Sequence, residues 1–284
     1  MPVIRKLIRF ARKSPREQLQ SISCHLPDPN WYWKIHSQGD DRTAYINGLY
    51  GAGRHYINEL ILQNIGRRAK YFRVYFGFHP SPTSMIYTGH ATMRHDSRLH
   101  RSPSVTSRIL EAVKSGSADL IFIYRHPLDS LLSNWILLRT FGRSKRMISG
   151  ISELYKNPDD LSAELERSFP EFKAFAEGDP AFLAVLPGRR FMSFPEFVEE
   201  TELFLQSATL TLRLEDFMID PLKEFSKIVE VMSVNLDLSR LRLAPPRTKP
   251  YHLAVKEKVP RFRDFINELD EETKRRIERI GYRL

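Results

Sequence analysis

The sequence predicts an α/β fold, a parallel β-sheet flanked by helices on both faces. Strand-like runs alternate with stretches of helical periodicity, the pattern of βα units. The run Asp119-Leu-Ile-Phe-Ile-Tyr124 is apolar almost throughout, which suits a parallel strand buried on both faces. Glycine and proline sit where such units turn: a Gly-rich stretch follows Asn47, and Pro127 falls just inside the start of the next helix.

Taken in order, Val3, Ile4, Leu7, Ile8 and Ala11 recur at helical spacing among Arg5, Lys6, Arg9, Arg12, Lys13 and Arg16. Residues 1–16 therefore form a basic amphipathic helix, docked on the domain or resting on an anionic membrane surface. Thr43-Ala-Tyr-Ile-Asn-Gly48 is a first strand, followed by a helix over 54–66 with Tyr56, Ile57, Leu60, Ile61 and Ile65 on one side. Residues 71–76 and 84–88 are candidate strands. Residues 104–115 form a helix stopped by Gly116, and 119–124 the buried strand. Residues 143–206 are a largely helical insertion, with an acidic, solvated face over 153–180. Thr209 to Leu214 is a further strand, and Asp220-Pro221 opens another helix. The whole chain, 1–284, is expected to be one domain.

Composition limits the function classes. The chain has 284 residues with 42% hydrophobic and 27% charged, enough to bury a core, so it is not disordered. Cys24 is the one cysteine, which excludes an intrachain disulfide and a cysteine-based metal cluster. No apolar run approaches the roughly 18 residues of a membrane span. The N-terminus is too densely basic for a secretory leader. These features suit a cytoplasmic protein, peripheral at the inner face of a membrane if residues 1–16 bind there. The net charge of +10 points to anionic partners and clusters at 1–16, 90–108 and 240–263.

Two stretches carry chemistry. In Gly48-Leu-Tyr-Gly-Ala-Gly53-Arg54-His55, glycines between a strand and a helix let backbone N–H groups approach a phosphate at a helix N-terminus. A nucleotide hydrolase would continue with Lys and then Ser or Thr. Arg54 and His55 stand there instead, so the usual magnesium ligand is missing and no metal is expected. In Arg125-His-Pro-Leu-Asp129-Ser-Leu-Leu-Ser133, Arg125 ends the buried strand on the edge where α/β sheets bind ligands. Ser133 follows about two helical turns later. The guanidinium and hydroxyl either converge on a phosphate, or Arg125 simply pairs with Asp129. A third stretch, Arg213-Leu-Glu215-Asp216-Phe217 before Asp220-Pro221, reads as a structural salt bridge and helix start.

Together, in this order, the three stretches resemble the PAPS-dependent sulfotransferase family, where PAPS is 3′-phosphoadenosine 5′-phosphosulfate. The Arg-x-Pro-x-Asp-x-x-x-Ser frame at 125–133 is the most specific match, and Ile280-Gly281-Tyr282 is similar to the ending of many bacterial members. The resemblance spans roughly 43–284. It implies a P-loop-like sheet, PAPS as donor, PAP as product, and a carbohydrate, polysaccharide or glycolipid acceptor. It also implies a cofactor site made of Gly51, Ala52, Gly53, Arg54, His55, Tyr56, Arg125 and Ser133, closed by a basic loop at Arg247 to Lys249. The family's loop lysine is absent: alignment on Gly53 puts Gly51 there, so Arg54, then His55, is the nearest charge for the leaving oxygen. His90, at the end of Ile86-Tyr-Thr-Gly, resembles the family's catalytic base, with Glu59, His95, Asp96 and His100 as alternatives. Two other classes remain as rivals: a P-loop kinase, which lacks its Walker lysine here, and a basic nucleic-acid-binding protein, for which no recognition module is present.

Overall fold

The structure is a computed structural model that describes residues 43–49, 51–53, 56–57, 60, 64, 79–80, 86–89, 110–111, 113–116, 118–143, 158–179, 192–231, 237–238, 241, 243 and 250–284. The expected N-terminal helix (1–16) and the candidate strand at 71–76 lie outside them. The strands are β1 (Thr43–Gly48), β2 (His79–Pro80), β3 (Ile86–Gly89), β4 (Ala118–Tyr124) and β5 (Leu210–Arg213). They form one sheet in the order β2-β3-β1-β4-β5. β3, β1, β4 and β5 run parallel, and β2 pairs antiparallel with β3.

The antiparallel β2 departs from the all-parallel expectation. It is two residues long and includes Pro80, which has no N–H to donate, so it is confined to the sheet edge. Elsewhere β4 shows why its run is apolar throughout. Leu120 and Phe122 join one core with Leu49 and Phe204, while Ile121 and Ile123 join another with Ile46, Leu212, Phe217 and Phe225. Side chains alternate along a strand, so only an unbroken apolar run can feed both cores. Burial of each such side chain is worth about 1.5–3 kcal/mol. Helical residues 56, 57, 60 and 64 supply Ile57 and Leu60 to the second core.

The continuous helices among the described residues are α1 (Pro127–Arg143), α2 (Pro158–Arg167), α3 (Phe169–Ala176), α4 (Phe194–Ser207), α5 (Leu214–Ile219), α6 (Pro221–Val231), α7 (Tyr251–Lys258), α8 (Pro260–Asn267) and α9 (Glu271–Arg279). Local chemistry sets their ends. Ser193 and Glu196 form a reciprocal capping box at α4. Asp220 accepts the Lys223 N–H at 3.0 Å ahead of α6, and Asp270 accepts the Thr273 N–H at 2.8 Å ahead of α9. Beyond the sheet, a helical core gathers Trp135 of α1, Phe172 of α3, Phe194 of α4, Val255 of α7, Phe262 of α8 and Ile277 of α9. Chain order matters most for function: after β1 the chain pairs β3 on one side of it, then places β4 on the other. The crevice beyond the C-terminal ends of β1 and β4 is therefore the topological switch point of the sheet, the usual place for a ligand.

Candidate functional site

The loop after β1 is wound tightly into that crevice. The Ala52 N–H donates to Leu49 O at 3.1 Å, and Gly53 O accepts the Tyr56 N–H at 2.9 Å as the next helix begins. Gly51 and Gly53 have φ of +81° and +87°, the left-handed region that glycine enters without strain. Both also sit too close to neighbours for a side chain. A Cβ on Gly51 would lie 2.7 Å from the backbone oxygen of Ser130 in α1, and one on Gly53 would lie 2.6 Å from Leu214 Cδ2 in α5. The loop is thus wedged between the first turns of two helices. Tyr56 packs edge-on against Phe217 at 5.7 Å, and burial pushes its hydroxyl up to about 12.

Arg125 leaves the end of β4 beside this loop. It is only 4% exposed, a burial that cations tolerate only with partners. Its Nη1 donates to Ser133 Oγ at 3.1 Å and to Gly51 O at 3.4 Å. Its Nη2 stands 3.6 Å from Asp129 Oδ2. The glycine loop and the Arg125–Ser133 pair therefore form one constellation at the switch point, joined through a single guanidinium nitrogen. The guanidinium thus has Asp129 as its ion-pair neighbour and Ser133 as a hydrogen-bond acceptor.

A second ring of polar groups supports this centre from elements distant in sequence. His252, in the first turn of α7, gives Asp129 two hydrogen bonds, from its backbone N–H to Oδ1 and from ring Nδ1 to Oδ2, each 2.9 Å. Burial raises the Asp129 carboxyl, but the His252 hydrogen bonds and the Arg125 charge outweigh it and hold it below the usual carboxylate range. Glu215, at the start of α5, accepts the His126 N–H at 2.8 Å and the Tyr282 hydroxyl at 3.0 Å. Tyr282 in turn lies under the Arg213 guanidinium, 4.6 Å from its ring centre. Arg213 and Glu215 thus serve a structural part, through a cation–π contact and hydrogen bonds to His126 and Tyr282 rather than the expected salt bridge.

His126 is locked neutral. Its Nδ1 accepts the Leu128 N–H at 3.2 Å, which leaves Nε2 to carry the proton and donate to Arg283 O at 3.1 Å. Burial and the adjacent His252, stacked at 3.7 Å, lower its pKa to about 4, with the Arg283 carbonyl opposing. A histidine depressed in the folded state binds fewer protons than it does in the unfolded chain, whose value is near 6.5. Its stabilisation is therefore full above about pH 6.5 and is lost as pH falls towards 4. Urea titrations at pH 7 and pH 4.5 should differ by roughly 2–3 kcal/mol more in the parent than in His126→Asn, which removes this titration. An equal pH dependence in the two proteins would refute the neutral, locked histidine.

Of the residues expected from sequence, Gly51, Ala52, Gly53, Tyr56, Arg125 and Ser133 lie in the described structure. Arg125 touches Gly51 and Ser133, Gly53 opens the helix carrying Tyr56, and Ala52 is buried in the turn. Arg54, His55, Glu59, His90, Arg247 and Lys249 lie outside the described residues, as do His95, Asp96 and His100. His252 was not anticipated. It follows Pro250-Tyr251 within a basic stretch, and nothing local distinguishes it from a surface histidine. Among the described residues no group of three or more His, Cys, Asp or Glu side chains could hold a metal ion, and no helix is long and apolar enough to cross a membrane.

No family model matches the chain, and no curated protein matches it. Among solved structures, it is similar to mouse sulfotransferase SULT7A1 complexed with PAP, at a TM-score of 0.37 and 11% identity, over 87% of this chain and 89% of that one. Similarity at that level fixes neither fold nor chemistry, and the functional reading rests on the residues of the site.

Proposed function

We propose that this chain is a sulfotransferase that moves a sulfuryl group from PAPS to a hydroxyl of a carbohydrate, polysaccharide or glycolipid acceptor. The observation that carries the reading is the Arg125 guanidinium at the sheet's switch point, bonded at once to Ser133 Oγ and to the carbonyl of Gly51. It supports a doubly anionic nucleotide as ligand. In this reading Arg125 and Ser133 hold the 3′-phosphate, a role for which a guanidinium and a hydroxyl are suited. The turn at 51–53 and the helix that follows it face the 5′-phosphosulfate with N–H groups and a partial positive charge. Arg247 to Lys249 close over the nucleotide.

The transfer itself is an in-line displacement. The acceptor oxygen forms a bond to sulfur as the bond from sulfur to the phosphate oxygen breaks, and PAP departs. The acceptor proton passes to His90 or Glu59. Negative charge grows on the departing phosphate oxygen, where Arg54 and the loop N–H groups stabilise it. No protein group forms a covalent intermediate, and no metal ligand is needed for any step.

The test is a thermal-shift comparison of PAP, ATP with Mg²⁺, and GTP with Mg²⁺. A ligand at 100 times its Kd adds about 2.7 kcal/mol to a folded state that alone binds it. For a domain of this size the melting temperature should rise by roughly 5–10 °C with PAP and by much less with the triphosphates. A larger rise with ATP than with PAP would place the chain among phosphoryl-transfer enzymes instead.

A further inference from the structure

Asp129 and Arg125 are both almost fully buried, four residues apart, yet they form a loose ion pair without a hydrogen bond between them. Nη2 stands 3.6 Å from Oδ2, beyond hydrogen-bond range. Arg–carboxylate pairs frequently close into a two-pronged contact, which would re-aim the guanidinium towards Asp129. Here the carboxylate is already engaged on both oxygens by His252.

His252 is itself held rigidly. Its backbone N–H belongs to the first turn of α7, where helical N–H groups lack an intrahelical acceptor, so Asp129 caps a second helix while sitting in the first turn of its own. Its ring is stacked face to face on His126 at 3.7 Å and 17°, and His126 is pinned between Leu128 and Arg283. The hydrogen bonds of Arg125 go instead to Gly51 O and Ser133 Oγ, on the loop side.

We propose that His252 is a positioning residue for the anion site: by occupying Asp129 it keeps the Arg125 guanidinium turned towards the loop and Ser133, where a phosphate group is taken. This rests on the assignment of Arg125 to the 3′-phosphate. The geometry makes His252 act through a carboxylate rather than on the ligand. It also makes one ring nitrogen, Nδ1, the atom that matters. An asparagine at 252 places an amide donor near the position of Nδ1, whereas a glutamine places it near Nε2, out of reach of Asp129.

The experiment measures PAP and AMP affinity by calorimetry for the parent, His252→Asn, His252→Gln, and the double variant His252→Gln with Asp129→Asn. AMP lacks the 3′-phosphate and so reports the rest of the nucleotide site and the integrity of the fold. The Asn variant should keep most of the PAP affinity. The Gln variant should lose about 10- to 100-fold for PAP, and almost nothing for AMP, as Asp129 Oδ2, no longer held by Nδ1, turns onto Arg125. Adding Asp129→Asn should recover most of that loss, because a neutral amide does not capture the guanidinium. Parent-like PAP binding in the Gln variant, equal losses in Asn and Gln, equal losses for PAP and AMP, or no recovery in the double variant would each overturn the inference. A parent protein that binds PAP no better than AMP would overturn the 3′-phosphate assignment itself, and this inference with it.

Discussion

Replacing Arg125 by alanine is expected to weaken PAP binding by about 2–4 kcal/mol, which corresponds to a 30- to 1000-fold rise in Kd. The size follows from what is lost. A charged donor that is 4% exposed works in a poorly screened setting, and its hydrogen bonds to a phosphate are charge-assisted. The variant should still fold. Asp129 keeps both of its His252 hydrogen bonds, so truncation of the arginine does not leave the carboxylate without partners. Ser133 loses only the donor at 3.1 Å and retains a hydroxyl that can turn. Arg125→Lys should recover the charge but not the fork, and fall between the two. Calorimetry against PAP and AMP separates these effects: AMP affinity should barely move in either variant. Unchanged PAP affinity in Arg125→Ala would remove Arg125 from the site.

The second large effect concerns the loop. Gly51 stands where the sulfotransferase-like pattern places a lysine, and restoring that lysine is expected to destabilise the protein by roughly 2–5 kcal/mol rather than improve it. Two contributions add. A side chain at φ +81° carries about 1–2 kcal/mol of left-handed strain. The new Cβ meets Ser130 O at 2.7 Å and Ser130 Cα at 3.0 Å, both backbone atoms of α1 that cannot rotate aside, and such overpacking costs about 1–3 kcal/mol. Because the Cβ alone is at fault, Gly51→Ala should cost nearly as much as Gly51→Lys. Urea midpoints measure this directly. A Gly51→Lys variant of parental stability, with tighter PAP binding, would mean that the loop accommodates the lysine after all.

Much of the fold was legible because its signals are local. The unbroken run at 119–124 could only serve two cores, and the structure divides its alternate residues between them. Gly48, Pro127 and Pro221 mark ends that fall where the strand and helices end or begin. Arg125 and Ser133 were legible as a pair because a strand end followed at once by a helix brings positions eight residues apart back together. The helices over 251–279 were harder to see. Arg261, Arg263, Lys274, Arg275 and Arg276 dominate the composition there and obscure Val255, Phe262, Phe265, Ile266 and Ile277, which do recur at helical intervals. β2 carried no signal, being two residues against an edge. The partnership of Asp129 with His252 was out of reach for a different reason: it depends on how the helical core folds back over α1, and no spacing encodes a contact between residues 123 positions apart.

That last distance bears on how the protein comes to be functional. Gly51 meets Arg125 across 74 positions, Asp129 meets His252 across 123, and His126 meets Arg283 across 157. Each contact closes a long loop, and the entropy of closure must be met before the contact gives anything back. The parallel strands impose the same order, since their pairing is non-local throughout. The site is thus assembled from contacts that belong to the slow, non-local part of folding.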